Sequence, residues 1–434
     1  MVVLLTVAYV FSFVDRYILG LLVEPIKADL GLSDTQMGLL LGPAFAVLYA
    51  SAGLPLGWLA DRYRRTTIVG IGVALWSLAT AASALARNFW HLFTARVGVG
   101  VGEATLAPCA LSMISDSFPP EQRGRPVAFY TAAQSLGAGL AALGGAAVLG
   151  WANSVQQISL PLVGIVTAWQ FTFVVVGLPG LVVAAMLLLL REPPRQSSSP
   201  GITGASMPET LRFVAARWPT YLSFVAFPIV MTTVAYSQNW YAALYMRTWD
   251  WSIERFALWS GLALVIIGPI TVNVAGWISD KLFSQGRRDG PMLVMLTGTG
   301  LLVVMGIVSP LMPSGELAYA VWLLNLAGMS IVSASAPIAM LNVAPGRMRG
   351  QFSALFYMIT SLSGMLIGPV AVGLLTDNVF GEAGIRYAAA TVPAVIGLPV
   401  LAFWGFARRR YAQECEAMFD GVSVPPNETA FQAG

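Results

Sequence analysis

Four ionisable residues stand inside apolar stretches of this 434-residue chain. Asp15 and Arg16 are adjacent in Val7-Ala8-Tyr9-Val10-Phe11-Ser12-Phe13-Val14-Asp15-Arg16-Tyr17-Ile18-Leu19-Gly20-Leu21-Leu22, a run long and apolar enough to cross a bilayer. Arg96 and Glu103 bracket Val97-Gly98-Val99-Gly100-Val101-Gly102 in another such run. A charge near mid-membrane costs about 2.5–3.5 kcal/mol on insertion scales, so these groups are expected to face protein or a water-filled cavity. Arg96 and Glu103 are seven residues apart, and seven steps of about 100° return to nearly the same helix face. Asp15 lies ~14 Å in from Glu24 and Glu103 ~18 Å in from His91, at ~1.5 Å per residue, so both sit close to the midplane. Asp15, Arg16 and Glu103 are therefore expected to meet. One arginine cannot neutralise two buried carboxylates, and one acid is then expected to bind and release a proton. Asp15 is the expected carrier, tuned by Arg16 and Glu103, with Arg96 assisting from nearer the surface. The competing reading is a structural ion pair that pins the first helix to a neighbour.

The elements that position these residues follow from composition. Hydrophobic residues make up 57% of the chain and charged residues only 10%, against about 25% charged in an ordinary soluble protein. Apolar runs of span length recur throughout, which gives an all-α membrane protein rather than a barrel of short alternating strands. The spacing predicts twelve transmembrane helices, near 3–24, 35–60, 66–86, 90–117, 124–150, 169–190, 218–246, 254–281, 290–310, 316–343, 350–376 and 384–407. The first begins almost at Met1, as expected when a further segment precedes it, and Asp15 and Arg16 interrupt what would be the core of a signal peptide. Ser33 or Asp34 is placed to cap the second helix. The domains are then an N-terminal six-helix bundle (1–190), a linker rich in Pro and Ser (191–217), a second bundle (218–407) and a polar tail (408–434). Within the linker, 207–217 reads as a short surface helix with Arg212 and Arg217 toward headgroups.

With both termini cytoplasmic, 17 of the 24 Lys and Arg fall in cytoplasmic segments, five fall on the opposite side, and Arg16 and Arg96 lie within helices. That bias satisfies the positive-inside rule with an even number of spans, and the expected location is the cell (inner) membrane. Cys109 lies in a span and Cys415 in the tail, so no disulfide is expected, and one histidine, His91, leaves no metal cluster. There is neither a Gly-x-Ser-x-Gly elbow nor a phosphate-binding Gly-x-x-x-x-Gly-Lys loop, which speaks against an enzyme. No cofactor and no nucleic-acid partner are implied.

The halves repeat. Gly57-Trp58-Leu59-Ala60-Asp61-Arg62 recurs as Gly276-Trp277-Ile278-Ser279-Asp280-Lys281, Pro119-x-x-x-Arg123-Gly124 as Pro345-x-x-x-Arg349-Gly350, and Gly177-Leu178-Pro179 as Gly397-Leu398-Pro399. The three offsets, 219, 226 and 220 residues, are nearly one value. Both copies of each motif fall on the same membrane side, so the bundles are parallel repeats.

These residues resemble the major facilitator superfamily over essentially the whole chain. Gly57-Trp58-Leu59-Ala60-Asp61-Arg62-Tyr63-Arg64-Arg65 is similar to that family's loop between its second and third helices, and Arg96-Val97-Gly98-Val99-Gly100-Val101-Gly102-Glu103-Ala104 to its arginine-glycine motif. The resemblance implies a latch built from Gly57, Asp61, Arg62, Arg65, Gly276, Asp280, Lys281, Arg123 and Arg349. In it, Asp61 docks at the start of the eleventh helix near Gly350, and Asp280 at the fifth near Gly124. Asp15-Arg16-Tyr17, Gly31-Leu32-Ser33-Asp34-Thr35-Gln36-Met37-Gly38-Leu39-Leu40, Gly100-Val101-Gly102-Glu103-Ala104 and Ser115-Asp116-Ser117-Phe118-Pro119 resemble spinster-type transporters. That likeness is carried by residues 8–130. It implies proton-linked movement of sphingolipids or lysophospholipids.

The second bundle offers uncharged candidates for a cavity wall: Thr233, Tyr236, Asn239 and Trp240 on the seventh helix, Asn325 on the tenth, Tyr357 and Met358 on the eleventh. With Arg16 and Glu103 opposite, such a cavity suits an amphiphile with a charged head and a tail. The reading is a monomeric secondary transporter in the bilayer, moving a lipid-like or amphipathic small molecule by alternating access with protons as the coupling ion. An organic-anion, phosphate or drug antiporter in which Arg16 binds the solute stays open. So do a uniporter and a non-transporting receptor.

Overall fold

The computed structural model describes residues 1–119, 122, 124–155, 158–160, 164–195, 207–345 and 348–420. Among them, twelve helices are long and apolar enough to cross a membrane: Val2–Leu21, Asp34–Gly53, Arg65–Leu85, Phe89–Ser117, Arg125–Ala152, Ala168–Leu189, Trp218–Trp249, Ile253–Ser284, Gly290–Leu311, Gly315–Asn342, Gln351–Phe380 and Glu382–Ala402. They are called the first to twelfth spans below. The second opens with a capping box, in which the Ser33 hydroxyl accepts the Gln36 amide and the Gln36 side chain accepts the Ser33 amide. The seventh closes on Asp250, whose backbone is left-handed at φ 53°.

The chain forms two compact units. One comprises Met1–Ser197, Ser237–Ile266 and Met365–Ala388; the other comprises Ser198–Tyr236, Ile267–Gly364 and Ala389–Gly434. The first unit thus takes in the later part of the seventh span, the start of the eighth, the later part of the eleventh and the start of the twelfth, in addition to the first six spans. Close helix approach inside it depends on missing side chains. A Cβ on Gly102 would lie 2.7 Å from the Gly72 carbonyl and 2.8 Å from the Trp76 amide, so the third and fourth spans touch backbone to backbone. A Cβ on Gly42 would collide with the Met365 carbonyl, and the Trp240 indole donates to the Pro369 carbonyl at 2.9 Å. The uncharged stretch after the fifth span contains a small antiparallel hairpin, Ile158–Leu160 with Gly164–Val166.

The second unit has an aromatic and methionine core that includes Tyr221, Phe224, Met295, Met340, Phe352 and Phe356. The linker helix, Met207–Ala216, packs Phe213 against Tyr221 and Phe352. Arg217 pairs with Glu414 at 3.1 Å instead of facing headgroups. The polar tail expected from 408 onward is different in form. Trp404–Asp420 is a helix that buries Tyr411 and Cys415 in this core. Apolar and aromatic residues at one helical face, with arginines on the other, dock it as an amphipathic element. The Tyr411 hydroxyl donates to the Ala339 carbonyl at 3.1 Å. Burial pushes the Glu414 carboxyl up from its ordinary value, and Arg217 offsets part of that rise. Residues 421–434 of the expected tail lie outside the described residues.

Tyr411→Ala is expected to destabilise the second unit by about 3 kcal/mol, through the cavity and the lost hydrogen bond. Thermal unfolding in detergent checks this, with Arg409→Ala on the exposed side as a neutral control.

Candidate functional site

The cluster forms where the first, third and fourth spans meet inside the first unit. Asp15, Arg96 and Glu103 are each 2% exposed. Glu103 Oε2 accepts Ser12 Oγ at 2.6 Å and Arg16 Nε at 2.7 Å, and lies 2.6 Å from a terminal nitrogen of Arg16. Arg16 is thereby committed to the acid 87 residues away in sequence rather than to its neighbour Asp15. Its guanidinium lies among three rings, with centroids 5.0 Å away for Phe13, 4.6 Å for Phe45 and 4.9 Å for Tyr49. It is also the charged side chain of the cluster that retains measurable surface, at 12%.

Asp15 has a different environment. Its Oδ2 accepts the Thr80 hydroxyl at 3.1 Å, and its Oδ1 is buried with no hydrogen-bond partner among the described residues. Arg96 reaches the Asp15 backbone carbonyl at 3.3 Å, not the carboxylate, and its guanidinium lies 5.7 Å from the Phe45 ring centroid. A buried carboxylate with a single neutral donor and no ion-pair partner is the group in this cluster least compensated for bearing charge. Chemically, the arrangement can hold a proton on Asp15 and present an aromatic-flanked cation at Arg16.

A second ionic network lies at the ends of the spans away from the chain termini, also within the first unit. Asp34 receives Arg247 in a two-pronged pair at 2.7 and 2.9 Å and Lys27 at 2.7 Å. Arg247 also contacts Glu24 at 2.6 Å, and Lys27 contacts Glu382 at 2.5 Å. Asp377 accepts the backbone amides of Asp34 and Thr35 at 3.1 and 2.7 Å, at the N-terminus of the second span. These residues come from both halves of the sequence and all lie within the first unit. Lys27 and Arg247 read in the sequence only as topology charges. The signal that a partner existed was the acidic Asp34 at a helix start, but its partner is 213 residues on.

The latch residues divide. Arg65 is buried and pairs with Asp116 and with Glu192, the latter at 2.8 Å, so it ties the third and fourth spans to the segment just after the sixth. Arg62 stacks on Trp58 at 4.0 Å and Lys281 on Trp277 at 4.9 Å. Gly57 and Gly276 have open space where a Cβ would stand, and Asp280 is exposed. Arg123 and the side chains of Asp61 and Arg349 lie outside the described residues.

The uncharged candidates divide too. Asn239 and Trp240 belong to the first unit, and Asn239 packs its backbone against Gly20. Trp240 is fully buried with its indole committed to Pro369, which makes it a brace and not a cavity wall. Asn325 is likewise buried, donating to the Leu302 carbonyl at 2.6 Å, and ties the ninth and tenth spans. Thr233 is buried, whereas Tyr357 and Met358 are 52% and 42% exposed. Tyr236 is half-buried in the second unit. Sequence reasoning missed Ser12, Thr80, Phe45 and Tyr49, since nothing marks a hydroxyl or ring in an apolar span as facing a charge.

A twelve-span bundle with an acid–arginine cluster buried in its first half defines a secondary-transporter architecture. The chain belongs to the Major Facilitator Superfamily, whose family model matches residues 5–369. It is 29% identical to an MFS-type efflux pump of Mycolicibacterium smegmatis over 392 residues, 86% of this chain and 83% of that protein. It is 24% identical to the hexuronate transporter of Bacillus subtilis over 420 residues, 93% of each. Among solved structures, it matches a bacterial homolog of the human lysosomal transporter spinster, inward-facing and unoccupied, with a TM-score of 0.78, 25% identity and 98% of both chains covered. The spinster likeness of residues 8–130 thus extends to the whole fold.

Glu103→Ala is expected to cost about 3–5 kcal/mol, because it strands Arg16 in a buried site. Glu103→Gln, which keeps an acceptor, is expected to cost less. Chemical unfolding of both variants in detergent separates the two outcomes.

Proposed function

We propose that this protein is a proton-coupled secondary transporter of an amphipathic, lipid-like solute, with Asp15 as the proton carrier. The observation that carries the reading is the division of labour in the cluster. Arg16 is spent on Glu103, and Asp15 is left buried with one hydroxyl donor. A carboxylate so placed gains by taking up a proton when its site is closed from water, and loses the proton when water enters. The spinster-type likeness supports a sphingolipid or lysophospholipid cargo. The aromatic rings about Arg16 suit a solute with an anionic head beside apolar surface. In this reading the protein acts as a monomer in the cell membrane, with both termini cytoplasmic, exchanging protons for solute by alternating access. The network at Asp34 and Arg247 holds one side shut, and Asp61 and Asp280 serve the other.

A second reading is favoured by a specific feature. Arg16 keeps surface while Asp15, Arg96 and Glu103 are almost wholly enclosed. A guanidinium between aromatic rings also binds the carboxylate of a hydrophilic organic anion, and a hexuronate transporter is among the relatives. Then Arg16 selects the solute and Asp15 still moves the proton.

Reconstituted liposomes test both readings. A pH gradient is expected to drive accumulation of a fluorescent lysophospholipid by the native protein. Asp15→Asn is expected to abolish the gradient-driven part and to leave solute exchange at equal pH. Accumulation of hexuronate but not lysophospholipid would select the second reading; a native protein indifferent to the gradient would overturn proton coupling.

A further inference from the structure

The second unit carries a surface groove that the transport reading does not use. It encloses about 250 Å³ and is lined by Leu293, Leu296 and Thr297 of the ninth span and by Leu401 and Trp404 where the twelfth span passes into the C-terminal helix. Asp289 caps the ninth span one turn before Leu293, whose amide donates to its carbonyl at 3.0 Å, and Trp404 lies one turn before Arg408 on the C-terminal helix. The groove therefore runs from apolar side chains down to an ionic floor on the side of the C-terminal helix. There Asp289 receives Arg408 at 2.8 Å and lies 3.9 Å from Arg287. One carboxylate faces two guanidinium groups, and these keep 38% and 50% of their side-chain surface. Arg409, next to Arg408, is exposed as well. The floor has surplus positive charge where the apolar walls end.

We propose that this groove binds an anionic phospholipid of the surrounding leaflet, with an acyl chain along Leu293, Leu296 and Leu401 and its phosphate at Arg287 and Arg408. Charge complementarity selects the headgroup. Guanidinium groups bind phosphate through paired hydrogen bonds, and basic pockets between spans attract anionic lipids at about 1 kcal/mol, or about fivefold, per arginine. Trp404, 52% exposed, stands between floor and walls, the level at which tryptophan settles in a bilayer. The site lies wholly within the second unit and does not depend on which solute the protein carries.

Native mass spectrometry of the delipidated protein tests this, with dioleoyl phosphatidylglycerol and dioleoyl phosphatidylcholine added at equal concentration. The native protein is expected to retain the glycerol lipid more than about fivefold over the choline lipid. Arg287→Gln, which leaves the Arg408–Asp289 pair intact, is expected to lower that preference about fivefold. Thr297→Trp, at an exposed position of the lining, fills the groove without touching the arginines and is expected to reduce retention of the anionic lipid. Equal retention of the two lipids by the native protein, or a preference unchanged in both variants, overturns the proposal. Displacement of the lipid by millimolar inorganic phosphate overturns it too, since a bare anion site needs no groove.

Discussion

The structure depends on how three ionic side chains share one dry space. Glu103 takes both near nitrogens of Arg16 and the Ser12 hydroxyl, while Asp15 keeps only Thr80. Had Arg16 turned to Asp15, its sequence neighbour, the pair would be a plain structural bridge. A buried pair is strongly destabilised by loss of either member, so Arg16–Glu103 is fixed and Asp15 is the group whose charge can change without stranding a partner. In the proposed mechanism the proton and the scaffold fall to different carboxylates.

The rest of the first unit serves that arrangement. Glycines let the fourth span press backbone to backbone on the third, which sets Glu103 and Arg96 against the face that carries Thr80. On the side away from the termini, Asp34 and Arg247 join segments from both halves of the sequence. Asp34 is fully buried there, and Arg247 and Lys27 keep 10% and 11% of their side-chain surface, so loss of either cation is costly.

Hydropathy made the spans legible, because a bilayer demands about twenty apolar residues per crossing. The repeat of Gly57–Arg62 as Gly276–Lys281 made the two-bundle plan legible. The meeting of Arg16 and Glu103 followed from depth alone. Partner choice did not: Arg16 prefers Glu103 over Asp15 for reasons of side-chain direction that no linear spacing carries. Trp240 and Asn325 read as cavity residues because they are polar in apolar spans, yet the same property makes them braces once a backbone carbonyl stands opposite. The C-terminal helix was hidden by its arginines, which mask the buried face of Tyr411 and Cys415.

The central claim is that Asp15 is the proton switch. The most direct measurement is the distance between spin labels across each mouth of the protein, followed with pH in lipid, for the native chain and Asp15→Asn. The account predicts that the native protein changes its open side as the pH is varied and that the variant is held in one state at every pH. Equal responses from the two proteins would contradict it and make Asp15 a structural residue.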